Sequence, residues 1–329
     1  MKKNLVKLGV SLLAVFLFSG AVFAADQVTL TLGHIVKPDG PVAIAAVRFA
    51  ELVKERTEGK IIIEVYDSST LGSQRDLLEG LQIGTVDMTL SSPAIMSALT
   101  PKVSVFDLPY IFKDAKHAYS VLDGELGKKI FSEGENFGYS CISVWENGFR
   151  HTTNNKHAIK TPEDFKGLKI RVPESKVYLE MVKALGGNPT PMAFGELFTA
   201  LQNGTVDGQE NPISQSYSSR FHEVQKHMTL DGHIYACNPL LISNTAKSSI
   251  PDDLYKILVD TANEVRDWQR ELVLSSEGDM MKEMKEAGME ITVLSAEEKE
   301  EFSKAVGHVW AMFEDVIGKD LIEEVASHR

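Results

Sequence analysis

Hydrophobic and polar residues follow one another along this chain in blocks that predict alternating strands and helices. Residues 28–33 (VTLTLG) have the two-residue period of a strand, and residues 41–59 place apolar side chains on one helical face. Residues 60–66 are rich in β-branched side chains, and residues 77–90 predict a helix followed by a third strand. Because parallel strands are joined by crossover helices, this order predicts an α/β fold with mostly parallel sheets.

One part of this pattern occurs twice, 120 residues apart. Residues 77–87 (LLEGLQIGTVD) and 197–207 (LFTALQNGTVD) are identical at seven positions. In each copy a glycine is placed to stop the helix, and a β-branched pair then starts a strand. The repeat indicates two lobes built on one plan, although chance recurrence of a common helix stop is the alternative.

The second half of the chain predicts a similar series of elements after residue 147. They are a helical turn at 161–165, a strand at 168–172, a helix at 175–185, and a long strand at 228–243. Residues 251–287 have helical periodicity for about ten turns, which is long enough to brace both lobes. Ser295 and Glu298 predict a capping box for a last substantial helix, whose apolar face runs from Phe302 to Val316.

These elements predict where the lobes divide. We place lobe I at residues 25–147 and 237–276, and lobe II at residues 148–236 and 277–329. No stretch rich in proline, glycine or serine separates them. Ordered strands must therefore join the lobes, which favours a hinge over a flexible tether.

The N-terminus predicts export. Residues 1–24 combine a lysine-rich start, a short apolar run and a small-residue cleavage site, which is typical of a secretory signal peptide. An uncleaved anchor is the alternative. Removal of residues 1–24 with their three lysines changes the formal charge from −12 to −15. Such an acidic chain is not expected to bind nucleic acid or an anionic membrane surface.

The two cysteines leave a question open. Cys141 and Cys237 both lie in apolar, strand-like runs. In an oxidising compartment they could form a disulfide, and as buried residues they could equally remain free thiols.

The ends of the predicted strands carry the residues that could bind a ligand, because open α/β sheets bind ligands at the carboxyl ends of their strands. Ser91 and Ser92 follow the first repeat strand, and residues 209–212 follow the second. Arg171 ends the strand at 168–172, and Arg150 lies just past the predicted lobe junction. Two arginines converging on one cleft describe an anion site, whereas arginines paired with neighbouring acids would be structural.

Sequence signatures of catalysis are weak. No nucleophile elbow, Walker loop or dinucleotide-binding glycine pattern occurs, and we predict no cofactor and no metal. A secreted enzyme with Glu210 and Asp207 as an acid and base pair is the remote alternative. A structural or signalling protein is a third, because fold alone does not fix function.

Five spaced motifs carry a family resemblance. They are LGSQRD (71–76), FDLPY (106–110), GLKIRVP (167–173), PTPMAF (189–194) and LQNGTVDGQENP (201–212). In this order, they resemble the periplasmic substrate-binding proteins of tripartite ATP-independent periplasmic (TRAP) transporters, the DctP-like family. The motifs extend over nearly the whole chain after the signal sequence.

The resemblance implies roles for individual residues. Arg171 would grip the carboxylate of a substrate, Asn211 would lie beside it, and Arg150 would add a second charged contact. Phe194 would line the pocket. Arg75 matches a family position whose role we expect to be partly structural.

Other residues are candidates for the remaining walls of the site. Ser91 and Ser92 fall on the segment that varies with substrate, and a serine at position 92, where sialic-acid-binding members carry an acid, gives no support to that substrate. His34 is a candidate polar contact with a structural alternative. We expect Trp145, Phe149 or Phe194 to shield the anion from water.

Together these observations predict a two-lobed periplasmic binding protein fold in the α/β class, with a mostly parallel sheet flanked by helices in each lobe and a long bracing helix. We expect a monomer in the periplasm that binds a small organic acid anion without a chemical step. A hydroxy or keto acid, a uronate and a C4-dicarboxylate all fit, with an organic sulfonate as the alternative. The resemblance implies delivery to one small and one large membrane subunit.

Overall fold

The structure, a computed structural model, describes residues 27–328. The predicted signal peptide at residues 1–24 therefore lies outside the described residues. Within residues 27–328, no helix has the length and apolar character that crossing a membrane requires.

The described chain forms ten strands and thirteen α-helices. The strands are β1 (Val28–Gly33), β2 (Ile61–Tyr66), β3 (Met88–Leu90), β4 (Tyr139–Asn154), β5 (Lys169–Val172), β6 (Asn188–Pro191), β7 (Gly208–Pro212), β8 (His227–Leu230), β9 (Tyr235–Ser243) and β10 (Glu290–Val293). The helices are α1 (Pro41–Arg56), α2 (Gln74–Ile83), α3 (Pro93–Met96), α4 (Ala115–Asp123), α5 (Glu125–Phe131), α6 (Lys176–Ala184), α7 (Leu197–Gln202), α8 (Ile213–Ser218), α9 (Asn244–Ser249), α10 (Asp252–Glu286), α11 (Ala296–Val306), α12 (Glu314–Ile317) and α13 (Lys319–Ser327).

The strands lie in the order β2-β1-β3-β9-β4-β7-β5-β6, with β8 pairing to β4 and β10 to β8. Strand β1 is parallel to β2 and β3, strand β5 is parallel to β6 and β7, and β8 is parallel to β10. The pairs that contain β4 or β9 are antiparallel. The α/β class and the parallel strand groups are confirmed, and two long antiparallel strands join them.

Strand β4 connects the two groups of strands. Up to Phe149 it pairs with β9, and from Arg150 onward it pairs with β7 and β8. A bulge precedes this change, and Gly148 has a φ of 109° there. Strand β9 returns beside β4. The predicted connection by ordered strands is therefore present, while the lobe boundaries at residues 147 and 236 stay a prediction.

The two copies of the repeat fold alike. Both α2 and α7 are followed by a glycine with positive φ, 73° at Gly84 and 70° at Gly204. The aspartate that ends each copy accepts a backbone hydrogen bond from the neighbouring strand of its own group, at 2.8 Å from Thr31 of β1 for Asp87 and at 2.9 Å from Lys169 of β5 for Asp207. The shared plan predicted from the repeat is thus confirmed at the level of local structure.

Helix α10 is the predicted brace. It has 35 residues and packs against α1 near its start and against α8 further along. The indole of Trp145 donates to its backbone at Ala262 over 3.1 Å, and Tyr217 of α8 donates to Glu283 near its end. The helix therefore contacts both halves of the chain.

Three predicted elements differ in the structure. Residues 209–212 lie within β7 and not after it, because β4 and β5 pair with both sides of this polar strand. The long strand expected at 228–243 is two strands, β8 and β9, which pair with different partners. The last helix is broken after Val306 into several short pieces, and Val316 is half exposed.

The two cysteines are free thiols. Cys237 is buried and Cys141 is partly so, and burial raises the pKa of the Cys141 thiol to about 12. In the register of β4 and β9, Cys141 faces Leu241 and Cys237 faces Glu146. The two residues therefore lie at different levels of the ladder, which resolves the alternative in favour of free thiols.

Candidate functional site

A cavity lies between the two groups of strands. Arg150, Arg171 and Asn211 line it from β4, β5 and β7, and Ser92 and Asn238 line it from the other group. Polar groups from distant parts of the sequence thus converge on one space, as expected for a ligand-binding cleft.

Arg171 is buried in this cavity without an acidic partner among the residues that the structure describes. It is 3% exposed, and its Nε and Nη2 atoms donate to the carbonyl of Met192 at 3.0 and 2.6 Å. Its guanidinium carbon lies 5.8 Å from the centre of the Phe194 ring. Burial lowers the pKa of Arg171 to about 10, so the side chain remains a cation at neutral pH.

Arg150, in contrast, is held by an acid. Its Nε donates to Glu210 at 2.5 Å, and its Nη2 donates to the same carboxylate at 2.9 Å and to Asn211 at 3.0 Å. Both charged groups are almost fully buried. Burial opposes the charge of Arg150, but Glu210 outweighs it and raises the pKa of the guanidinium. The structural alternative therefore applies to Arg150, although it lines the same cavity as Arg171.

A second buried layer supports this pair. His233 lies 3.1 Å from Glu210 and 3.0 Å from Asp231. Burial alone would lower the pKa of His233, but the two acids outweigh it and raise the pKa to about 9. Asp231 also accepts hydrogen bonds from the backbone and hydroxyl of Thr152 in β4. This network fixes Arg150 and leaves it little freedom to follow a ligand.

An ion pair crosses the mouth of the cleft. The Nε atom of Arg75, in α2, lies 3.4 Å from Glu174, which follows β5. Arg75 and Arg171 line a small adjoining cavity together with Phe194. The position agrees with the partly structural role expected for Arg75.

Three polar side chains, two just after β1 and β3 and one within β9, are buried with unpartnered atoms in the described part of the chain. They are both ring nitrogens of His34, the hydroxyl of Ser91 and the amide nitrogen of Asn238. Burial lowers the pKa of His34 to about 4, so its ring is neutral. Asn238 lines the cavity, whereas His34 and Ser91 are not among its lining residues. Ser92 lines it and donates to Gln74 over 2.9 Å.

The three aromatic residues that were expected to shield the anion lie in different parts of the structure. Phe194 lines the cavity, but Trp145 is fully buried beneath α10, where its ring packs against Phe49 at 6.0 Å. Phe149 packs against Tyr235. The expectation that Trp145 shields the anion is therefore corrected, because α10 covers the face of β4 on which it lies.

Sequence reasoning missed Asn238, Gln215 and Tyr178 as lining residues. Asn238 was detectable, since it is the one amide in the apolar run at 235–242 (YACNPLLI). Tyr178 lies beneath Arg150, with its ring centre 5.2 Å from the guanidinium carbon. Its place depends on how α6 packs, which no local pattern indicates.

The proposed acid and base pair of the enzyme alternative does not form a unit. Glu210 is bound by Arg150 and His233, as described above. Asp207 accepts a hydrogen bond from the backbone of Lys169 and pairs with Lys156 at 3.1 Å. Each acid therefore has a structural role of its own.

Two groups of strands are joined by long antiparallel strands, and the cavity between them holds a buried cation that has no acidic partner within residues 27–328. These features define a solute-binding protein for anions. Residues 32–315 match the model of the bacterial extracellular solute-binding protein family 7, DctP. The chain belongs to this family. Its members are periplasmic proteins that bind small organic acids and work with membrane subunits.

Individual relatives have similar lengths. The 2,3-diketo-L-gulonate-binding periplasmic protein of Escherichia coli strain K12 is 35% identical over 95% of this chain and 96% of its own length. The C4-dicarboxylate-binding periplasmic protein of Rhodobacter capsulatus is 35% identical over 92% of this chain and 91% of its own. A TRAP periplasmic solute-binding protein of Polaromonas sp. JS666, bound to D-erythronate, superposes with a TM-score of 0.88 at 35% identity, covering 92% of this chain and 99% of that one.

Proposed function

We propose that this chain is a periplasmic receptor that closes on a small carboxylate and delivers it to the small and large membrane subunits of an ion-gradient-driven TRAP transporter. It would be exported by a signal peptide at residues 1–24 and act as a monomer. The observation that carries the proposal is the buried guanidinium of Arg171, which lines the inter-lobe cavity and has no acidic partner among residues 27–328.

A ligand carboxylate would complete this site. An unpaired cation in a cavity attracts an anion, and the planar guanidinium can hold a carboxylate through two hydrogen bonds. Charge-assisted bonds of about 1.5–3 kcal/mol each would supply much of the roughly 8 kcal/mol of a micromolar complex. The ring of Phe194 lies 5.8 Å from the guanidinium carbon and Asn211 lines the same cavity, which favours this placement.

Closure follows from the way the cavity is built. Its walls come from both groups of strands, so a bound anion makes all its contacts only when the cleft is shut. The three relatives named above bind carboxylates, as their names and bound ligand state, and a sulfonate ligand therefore gains no support.

The test is calorimetry on the mature chain with a panel of organic acids chosen by a thermal-shift screen. Arg171→Lys should weaken binding of the best ligand at least about tenfold, because an ammonium cannot reproduce the two-pronged contact. Arg56→Lys is the matched control, since Arg56 pairs with Glu264 on the surface of α1 and α10. Unchanged binding by Arg171→Lys, or no binding of any acid by the wild type, would contradict the proposal.

A further inference from the structure

The charges around the cavity leave one cation unbalanced in the described part of the chain. Arg150 and the protonated His233 face Glu210 and Asp231 within one buried network. Two positive and two negative groups cancel there, and the neighbouring Asp107, a buried acid that accepts a hydrogen bond from Tyr178 and whose pKa burial raises to about 7, adds no further cation. Arg171 is the cation that remains, and its buried hydrogen bonds go to a neutral carbonyl.

The other cations near the cleft are paired with acids or exposed to solvent. Arg75 is paired with Glu174 at the mouth. Lys37 and Arg220 line the wide outer opening of the cleft, beyond Phe194, where Arg220 pairs with Glu223. Exposed charges of this kind are screened by water and salt. A second carboxylate inside the cavity would therefore be buried without a counter-charge, which is costly.

The remaining polar lining is neutral and rich in amides. Asn147, Gln215 and Asn238 face the cavity together with Ser92 and Gln74. An amide offers both a hydrogen-bond donor and an acceptor. A hydroxyl group can use both, whereas a carboxylate can only accept, so the amide oxygens repel it. The lining therefore matches hydroxyl groups better than a second acid.

Asn238 is the lining residue at which we expect a ligand hydroxyl to bind. It is 4% exposed, it lies at the edge of the cavity on β9, and its Nδ2 is buried without a partner among the described residues. Leaving a buried donor unsatisfied is costly, and a ligand acceptor at this position would remove that cost.

We propose that the ligand is a hydroxylated monocarboxylate, with its carboxylate on Arg171 and a hydroxyl oxygen on the Nδ2 of Asn238. This inference rests on the proposed function and narrows it. Asn238 is then a specificity-determining residue that separates hydroxylated acids from their deoxy analogues, and the single unbalanced charge excludes dicarboxylates.

Equal-length acids test the ligand class by calorimetry on the mature chain. The four-carbon set is D-erythronate, succinate and butyrate, and the six-carbon set is D-galactonate, D-glucuronate, galactarate and hexanoate. The best binder should be a hydroxylated monocarboxylate, at least about tenfold tighter than the dicarboxylate and the unsubstituted acid of the same length. A dicarboxylate or an unsubstituted acid as the best binder overturns the inference and leaves the proposed function standing. Absence of binding by every acid contradicts the proposed function itself.

A substitution tests the residue. Asn238→Leu removes the amide at similar size, and it should weaken the best hydroxylated acid about tenfold or more while the deoxy acid of equal length changes less than about twofold. Asn188→Leu, at an exposed asparagine that begins β6, is the matched control and should leave both affinities unchanged. If Asn238→Leu does not fold, Asn238→Ser, which keeps a donor, should retain the preference for the hydroxylated acid. Equal weakening of both acids by the folded variant would refute the role of Asn238.

Discussion

Replacing Glu210 by glutamine tests the buried network beneath the cavity. The glutamate accepts two side-chain hydrogen bonds from Arg150 and is bonded to His233. Glutamine keeps the size of the side chain but removes its charge, so two buried cations lose their shared counter-ion. We expect the substitution to destabilise the fold without changing its architecture.

The magnitude follows from these contacts. Three charge-assisted hydrogen bonds at about 1.5–3 kcal/mol each set the upper limit of the loss in folding free energy. Part of this loss is offset, because the uncharged glutamine costs less to bury than the ionised glutamate. Removing one partner of a fully buried pair costs about 3–5 kcal/mol. For a chain of this size, that loss corresponds to a fall in melting temperature on the order of 10 °C.

Urea denaturation and thermal melting would measure the effect. Glu174→Gln is the matched control, because Glu174 belongs to a half-exposed ion pair and should cost less than about 1 kcal/mol. The double variant Arg150→Met with Glu210→Gln should recover more than half of the loss, since it removes the buried cation as well. A loss below about 1 kcal/mol for Glu210→Gln, or a double variant less stable than the single one, would refute the reasoning.

Two further predictions concern the place where β4 changes partners. Burial, with a contribution from Glu146, raises the pKa of Glu277 to about 7, so the folded state resists ionisation of this acid and loses stability as the pH rises through that value. Glu277→Gln should therefore raise the free energy of unfolding by about 1–2 kcal/mol near pH 8 and by almost nothing near pH 4.5. Urea denaturation at the two pH values would measure this difference, and an equal gain at both would contradict the prediction. Gly148→Ala should lower stability by about 1–3 kcal/mol, because alanine is strained at a φ of 109° although its Cβ has room. Gly278→Ala, inside α10 and free of contacts, is the control for thermal melting and should be neutral or stabilising, and a Gly148 variant that behaves like it would contradict the strain argument.

Local periodicity predicted much of the fold. Strand β1 has the bounds expected from its alternation, and α1 begins at the expected proline, since spacing along the chain is enough to specify these elements. Residues 209–212 were expected to follow the strand, although they lie within β7, because their polar side chains give no strand signal of their own. The buried glutamate and asparagine of β7 are satisfied by Arg150, 60 residues earlier in the sequence.

The site was predictable where motif and strand end coincide, and less so where tertiary packing decides. Arg171 lies at the cavity as the strand-end rule indicated. Whether an arginine is free or paired depends on acids brought near by folding, so the sequence did not distinguish Arg171 from Arg150. Likewise, the indole of Trp145 could be assigned to the core only once α10 was seen to cover it.

Among the described residues the chain passes between the two groups of strands in β4 and again in β9, so neither group is built from one continuous segment. A break at residue 148 would give an N-terminal fragment that lacks β9 and a C-terminal fragment that lacks the first part of β4. Each fragment would expose an unsatisfied sheet edge, with the aggregation tendency that such edges bring. Separate expression of the pieces should therefore yield insoluble material, and only simultaneous production would allow them to assemble by complementation.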